Sequence, residues 1–551
     1  MEAAEESQLT AWRRMAKKMG QARAVLPAAL PLAAGLVLRL WMLKSLFQVN
    51  GDMLIYGDLA KNLLLHGSFA LTPPNGEMYS TLIRLPGYPL FLAACFRLFG
   101  MENYFAAACV QVALELLGCL LLADFVRRIV PAPASRGAAL ATLWLAALCP
   151  FTASYTAAPL TETPTLFVLA LAMWAMARFR ERPGWANALW FTFAVTWAAF
   201  LRPDGALAAV AFAPALVIGS PRGAITPRKL MRMTVVCVLL ALAPFAVWTA
   251  RNWSVFHVFQ PLAPRLANDP DERPNLGLER WVKTWCLDFV STNDIYWNAP
   301  GNKLDMSDLP SRAFDSPAQY AETAAIIADY NSHGMEITPE IDARFDKLAR
   351  ERIAAHPLRY YVGLPLGRVA DMWLRPRVEN LNIDPDWWVY ANHHTDTEFS
   401  WAYVALNALY LLLGFGGLCI PPQRRRPVVG DPGSRPRFER NPSNSAHSEE
   451  VQGGFHFHPC DGDLSQGTPE IRKPRDGRAS GHTRSDSAVW GALLAYMLLR
   501  SALLLTVAAP EARYTLECFP MLFAAGGIAL WKLASRLYLP ASKLKAPLGN
   551  G

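Results

Sequence analysis

Long apolar runs, separated by short basic or turn-forming segments, dominate the chain. A membrane-spanning helix needs about 20 predominantly apolar residues. On that criterion the sequence predicts about ten spans: 26–47, 104–126, 137–156, 160–177, 185–201, 204–220, 231–249, 401–421, 488–508 and 515–535. A further apolar run, 88–99, is too short to cross and carries Arg97, so it is expected to lie along the membrane surface. Long alternating runs of the kind that form half-buried strands are not evident, so no large β domain is expected. The predicted fold class is an all-α polytopic membrane protein.

Basic residues orient these spans. If 88–99 does not cross, then Arg127, Arg128 and Arg136 share one side with Arg178, Arg180 and Arg182, with Arg222, Arg228, Lys229 and Arg232, and with Arg424, Arg425 and Arg426. The N-terminal Arg13, Arg14, Lys17, Lys18 and Arg23 and the tail residues Lys532, Arg536, Lys543 and Lys545 join them. Counting 88–99 as a span would scatter the clusters after it to the other side. Short cytoplasmic loops carry the excess of Lys and Arg, which decides for both termini inside. The first run is too long for a signal-peptide core and lacks a small-residue cleavage site, so it reads as a retained span.

This reading divides the chain into a cytoplasmic N-terminus (1–25), a membrane core (26–249) with an outer loop at 48–103, an outer-face segment with helices (250–400), a span (401–421), a linker (422–487), two last spans (488–535) and a cytoplasmic tail (536–551). In the outer-face segment, Thr338 and Pro339 fit the N-cap and first position of a helix running through Glu340 to about Ala355. Residues 358–374 read as an amphipathic interfacial helix. Residues 423–486 are rich in Pro, Gly, Ser, Arg and Asp, and predict a disordered linker. The segment FHFHPCDGD (455–463) matches no standard metal-ligand spacing.

Composition narrows the class. Of 551 residues, 52% are apolar and 18% charged, against roughly 25% charged in a soluble domain. One ordinary soluble domain is excluded, and so is a disordered chain. The 18 Trp and 42 Pro suit aromatic belts and structured loops. The net charge of +8 reads as topology, because the basic residues flank apolar runs and form no stripe for nucleic acid. Nine Cys (95, 109, 119, 149, 237, 286, 419, 460 and 518) show no CxxC pair and imply no disulfide framework.

Candidate chemistry gathers at the outer ends of the spans. Asp52 follows the first span and stands four residues before Tyr56, so the two share a helical face that Gly67 ends. Asp52 is either a general base near a lipid-borne substrate or simply the cap of helix 53–65. Arg84 precedes a Pro86-Gly87 turn, and Pro89 starts a helix that puts Tyr88 at the interface. Glu162, Arg202, Asp204, Arg251, Glu511, Arg513 and Tyr514 fall on the same face of the membrane. Singly, each fits a snorkelling side chain or an interfacial ion pair. Jointly, several arginines beside carboxylates suit a clamp on a phosphate at headgroup level.

The pattern Asp52-x-x-x-Tyr56-x-x-x-Ala60-x-Asn62-Leu63-Leu64, then Arg84-x-Pro86-Gly87-Tyr88-Pro89-Leu90, resembles the multi-spanning GT-C glycosyltransferases. The likeness is greatest to the family 39 and 83 group of protein O-mannosyltransferase-like and lipid A aminoarabinose transferases. Short motifs at Thr161-Glu162, Leu201-Arg202-Pro203, Arg251-Asn252 and Glu511-x-Arg513-Tyr514 extend it. The polar insert at 423–486 departs from the pattern, and residues 260–400 resemble no family.

The resemblance implies a GT-C-type bundle and a polyprenyl-phosphate sugar donor bound from the outer leaflet. The acceptor hydroxyl would belong to a glycolipid, polysaccharide or protein. Asp52 would be the base, with inversion at the anomeric carbon. Arg251, Arg513 and Arg202 would bind the phosphate. Tyr56, Asp58, Arg84, Tyr88 and Glu162 would contact acceptor or sugar. No clustered ligand set demands a metal or other cofactor, and a bacterial inner membrane is the implied location. The competing expectations are a transporter or flippase of lipid-linked sugar, and a non-catalytic receptor on the same fold.

Overall fold

A computed structural model of the protein describes residues 27–73, 76–218, 225–384, 386–391, 394–420 and 479–538. The N-terminal segment, most of the expected linker with FHFHPCDGD and Cys460, and the end of the tail lie outside the described residues. The architecture is all-α, with one two-residue antiparallel hairpin pairing Ala70 with Ser80 and Leu71 with Tyr79.

Each apolar run falls in helix. Six described helices are long and apolar enough to cross a membrane: Pro27–Leu46, Tyr104–Ile129, Pro227–Phe256, His394–Leu418, Ser487–Leu504 and Ala512–Leu537. Glu162–Glu181, Trp185–Leu201 and Leu207–Val217 pack among them. The helix carrying the ninth run starts at Ala479, inside the stretch expected to be linker, and the eighth starts at His394 rather than 401.

The third run is not one continuous helix. Ala134–Ala147 and Pro150–Ala157 meet at a 49° bend. Pro150 removes one backbone donor at the break. The Ala146 carbonyl, four residues before Pro150, accepts from Arg39 Nη2 at 3.4 Å, and the next carbonyl, Ala147, accepts from Arg39 Nη1 at 2.6 Å. Arg39 is itself fully buried and ion-paired with Glu115. A charge inside the bundle therefore satisfies the backbone that the bend exposes.

Small residues set the helix spacing. A Cβ added at Gly417 would come within 2.1 Å of the Ala525 carbonyl oxygen on the last helix. Close backbone approach is how membrane helices gain packing when burial from water no longer drives them together. Gly417→Val is expected to destabilise the bundle by about 1–3 kcal/mol. A thermal unfolding scan of the purified protein in micelles tests this, and an unchanged midpoint would contradict the packing.

Residues 276–355 form a separate helical cap with its own core of Trp281, Trp285, Tyr330 and Phe345. Thr338 caps Pro339–Ala355 as its sequence requires, its Oγ1 accepting from Ile341 N at 3.3 Å. Residues 359–374 continue as a π turn and a helix. Leu358, Tyr361, Val362 and Leu366 are exposed, whereas Leu364, Arg368 and Met372 are buried.

The 88–99 run is the helix Gly87–Phe99. Tyr88, Leu92, Cys95 and Phe96 form its buried side. At its start, a Cβ on Gly87 would sit 2.3 Å from the Phe200 carbonyl oxygen. Only glycine lets the segment carrying Arg84 close onto the turn carrying Arg202.

Candidate active site

A cleft of 510 Å³ opens at the capped end of the bundle. Its polar lining comes from six separate places in the sequence, one of them Arg265 in the segment 262–267. Asp52 and Tyr56 come from the helix Asp52–His66, and Arg84 from the turn before Gly87. Glu162 is the first residue of Glu162–Glu181, and Arg202 ends the helix Trp185–Leu201. Arg513 and Tyr514 lie on the 3-10 turn Ala512–Cys518.

Asp52 does not cap its helix. Gly51 holds the N-cap position and no side chain caps the turn. The Asp52 carboxylate instead accepts from Arg84 Nη2 at 2.7 Å, and Arg513 Nη2 stands 3.9 Å away. Burial alone would raise the Asp52 pKa, but the Arg84 charge and hydrogen bond, then Arg513 and Arg202, outweigh it and hold the carboxyl below its ordinary value. Arg84 responds in the opposite sense: burial opposes its charge, and Tyr56 and Asp52 together raise its pKa.

One helical turn on, Tyr56 packs edge-to-face on Tyr88 with ring centroids 5.1 Å apart. Burial raises the pKa of its hydroxyl, so it stays protonated and able to donate.

Glu162 is 3% exposed and bridges two arginines, with Arg202 Nη1 at 3.3 Å and Arg513 Nη1 at 3.8 Å. Arg202 also reaches Glu517 at 3.0 Å and Asp204 at 3.4 Å. Behind them Arg500, fully buried, pairs with Asp204, binds Glu517 at 3.1 Å and donates to the Tyr514 carbonyl at 3.0 Å. Glu511 pairs with Arg513 and accepts from the Tyr514 hydroxyl. The cleft is thus the open end of one charge network whose other end is buried.

Four arginines (84, 202, 265 and 513) and three carboxylates (Asp52, Glu162 and Asp204) line it. The surplus is one positive charge, and the guanidinium groups present the planar donor forks that suit phosphate oxygens. Among the described residues, no group of three His, Cys, Asp or Glu could hold a metal ion.

Three predicted site residues are not brought to this cleft. Arg251 donates to the Thr81 carbonyl at 2.8 Å and the Phe69 carbonyl at 2.7 Å, and lies over the Trp248 and Phe256 rings. It ties the long helix Pro227–Phe256 to the hairpin. Asp58 accepts from the Thr72 amide and sits 3.6 Å from Lys61. With Asn62, which donates to the Ala70 carbonyl at 2.9 Å, it fastens the same hairpin to the helix Asp52–His66. Tyr88 is fully buried in the protein and donates to Gln111 at 2.8 Å. Gln111 in turn donates to the Ala158 carbonyl at 2.8 Å, just before Thr161-Glu162.

Arg500 and Glu517 were not singled out in the sequence. Both are ionisable residues inside predicted spans, which is the available signal for a polar site in a membrane protein.

Residues 84–248 match the family model of dolichyl-phosphate-mannose-protein mannosyltransferases. The match indicates a membrane glycosyltransferase of the class that draws sugar from a polyprenyl-phosphate donor. The resemblance to the GT-C glycosyltransferases therefore holds over this stretch. It includes Arg84, Glu162 and Arg202 but neither Asp52 nor Arg513, which come to the cleft from either side of the matched region. No curated protein and no solved structure matches the chain significantly.

Proposed function

We propose that this protein transfers a hexosyl or pentosyl group from a polyprenyl-phosphate donor to an acceptor hydroxyl, with Asp52 as general base and inversion at the anomeric carbon. The supporting observation is the meeting of Asp52 with Arg84, Arg202 and Arg513 in one cleft, a carboxylate beside a surplus of guanidinium groups. Asp52 takes the proton of the acceptor hydroxyl as its oxygen attacks the anomeric carbon. The bond from that carbon to the phosphate oxygen breaks, and the electron pair leaves with the polyprenyl phosphate. Arg202 and Arg513 stabilise the charge that develops on the leaving oxygen. Tyr56, Arg84 and Glu162 line the space left for sugar and acceptor hydroxyls.

A carboxylate held at low pKa is a weak base. It suffices here because the hydroxyl becomes acidic only as its oxygen bonds to carbon, and because phosphate leaves without a general acid. Charge distribution along the sequence supports a cleft on the outer face and both termini in the cytoplasm; the family resemblance supports a bacterial inner membrane.

The test is transfer of radiolabelled sugar from synthetic polyprenyl-phosphate donors in vesicles that contain the protein. Movement of intact donor across the bilayer without transfer would replace this reading with a flippase. The pH profile adds a second check. Activity needs ionised Asp52, so it falls as pH drops through the Asp52 pKa. Arg84 holds that pKa down, so Arg84→Gln is expected to move the acidic limb to higher pH. A limb that stays in place would separate Arg84 from the base.

A further inference from the structure

A second cavity of 360 Å³ adjoins the first. The two share the wall formed by Arg202, Asp204, Arg265 and Tyr514, whereas Asp52, Tyr56 and Arg84 line the first alone. The second cavity has two unlike walls. Tyr296 and Trp297 come from the cap, and Leu503, Leu504 and Val507 from the end of the helix Ala479–Leu504 and the residues after it. Trp297 is 44% exposed and contacts Phe289 only edge-on, at 5.4 Å between centroids and 85°. A broad aromatic surface is left facing the space.

Charge separates the two cavities. Three arginines (202, 265 and 500) face three carboxylates (Asp204, Glu279 and Glu511) in the second. The charges lining this cavity balance, whereas those lining the first leave one positive charge in surplus, so a phosphate is favoured in the first and not here. The occupant is therefore neutral and hydroxyl-bearing. The carboxylates are placed to accept from its hydroxyls, and an aromatic face covers the apolar C–H side of a sugar ring. The aliphatic wall belongs to a membrane helix, so the rest of the occupant arrives from the bilayer. The volume lies within the range of about 300–1,000 Å³ usual for small-molecule sites.

We propose that this second cavity is the acceptor site and takes the saccharide head of a glycolipid, its ring against Trp297 and its hydrocarbon along Leu503, Leu504 and Val507. The inference rests on the transferase reading above and specifies its acceptor class. Across the shared wall of Arg202 and Tyr514 the acceptor hydroxyl reaches into the first cavity, where the donor sugar lies beside Asp52.

Photolabelling of the full chain in phospholipid nanodiscs tests this. One probe is dodecyl maltoside with a diazirine either on its sugar head or in its chain, kept below its micellar concentration. The second is a diazirine-bearing polyprenyl phosphate. The third is a Ser/Thr-rich peptide with a photoreactive group. The maltoside is expected to label residues 296–297 and 503–507 and to persist under excess unlabelled polyprenyl phosphate. Labelling should fall about tenfold in Trp297→Ala, the loss expected for an aromatic anchor, and survive in Trp297→Phe. Labelling of 503–507 by polyprenyl phosphate with displacement of the maltoside would make the cavity the donor's. Displacement by the peptide would make it a protein-acceptor site. Absence of maltoside labelling at both segments would remove the saccharide site. Each of these three results overturns the proposal. Failure of the transferase reading is distinct, because polyprenyl phosphate would then not label the Asp52 and Arg84 cleft.

Discussion

Asp52→Asn is expected to lower sugar transfer about 10²–10⁴-fold, the usual contribution of a positioned general base. The substitution keeps the size of the side chain and an oxygen that can still accept from Arg84. It removes only the capacity to take a proton. Asp52 is partly exposed at the cleft and does not cap its helix, so little stability depends on its charge. The variant should insert and bind a polyprenyl-phosphate analogue as the wild type does. Initial rates in reconstituted vesicles, normalised to folded protein, supply the check. A variant with wild-type turnover would end the base assignment and direct attention to Glu162, the other carboxylate lining the cleft near Arg513.

The second large effect is expected at a residue outside the first cleft. Arg500→Met should destabilise the protein by about 3–5 kcal/mol, the cost of breaking a buried ion pair by removing one partner. Arg500 is fully buried and serves both Asp204 and Glu517, so its loss leaves two carboxylates with Arg202 as their one remaining arginine partner. Its Nε also holds the carbonyl of Tyr514, beside Arg513. The turn that presents Arg513 should loosen, and transfer should fall along with stability. Replacing both partners, as Arg500→Met with Glu517→Leu, should recover part of the unfolding midpoint, because no unpaired charge then remains at that pair. A single variant that unfolds at the wild-type temperature would show that the network is not structural.

Much of the fold was legible because the bilayer imposes a strict code. Backbone groups in hydrocarbon must be paired internally, so an apolar run of sufficient length becomes helix. Six described segments, long and apolar enough to cross, are helical for that reason. The bend between Ala147 and Pro150 was not legible, since hydropathy continues across it and the contacts with Arg39 satisfy the exposed carbonyls. The cap helix starting at Pro339 was legible because Thr338 supplies its cap locally.

The site divides along the same line. Asp52, Tyr56, Arg84, Glu162, Arg202 and Arg513 stand out in sequence as polar residues at the ends of apolar runs, and all line one cleft. Arg251, Asp58 and Tyr88 stand out equally and are spent on the hairpin and on Gln111. Their chemistry is no different; only their neighbours are.

Sequence alone therefore determined the helices, the residue types available at the polar ends and the likeness to membrane glycosyltransferases, because these depend on local periodicity and composition. Tertiary structure decided which arginines face Asp52, which are consumed by backbone carbonyls, and that two cavities share the Arg202 wall. Those outcomes rest on contacts between residues hundreds of positions apart, as with Asp52 and Arg513, or Asp204 and Arg500. Packing geometry sets such contacts, and no local pattern encodes them.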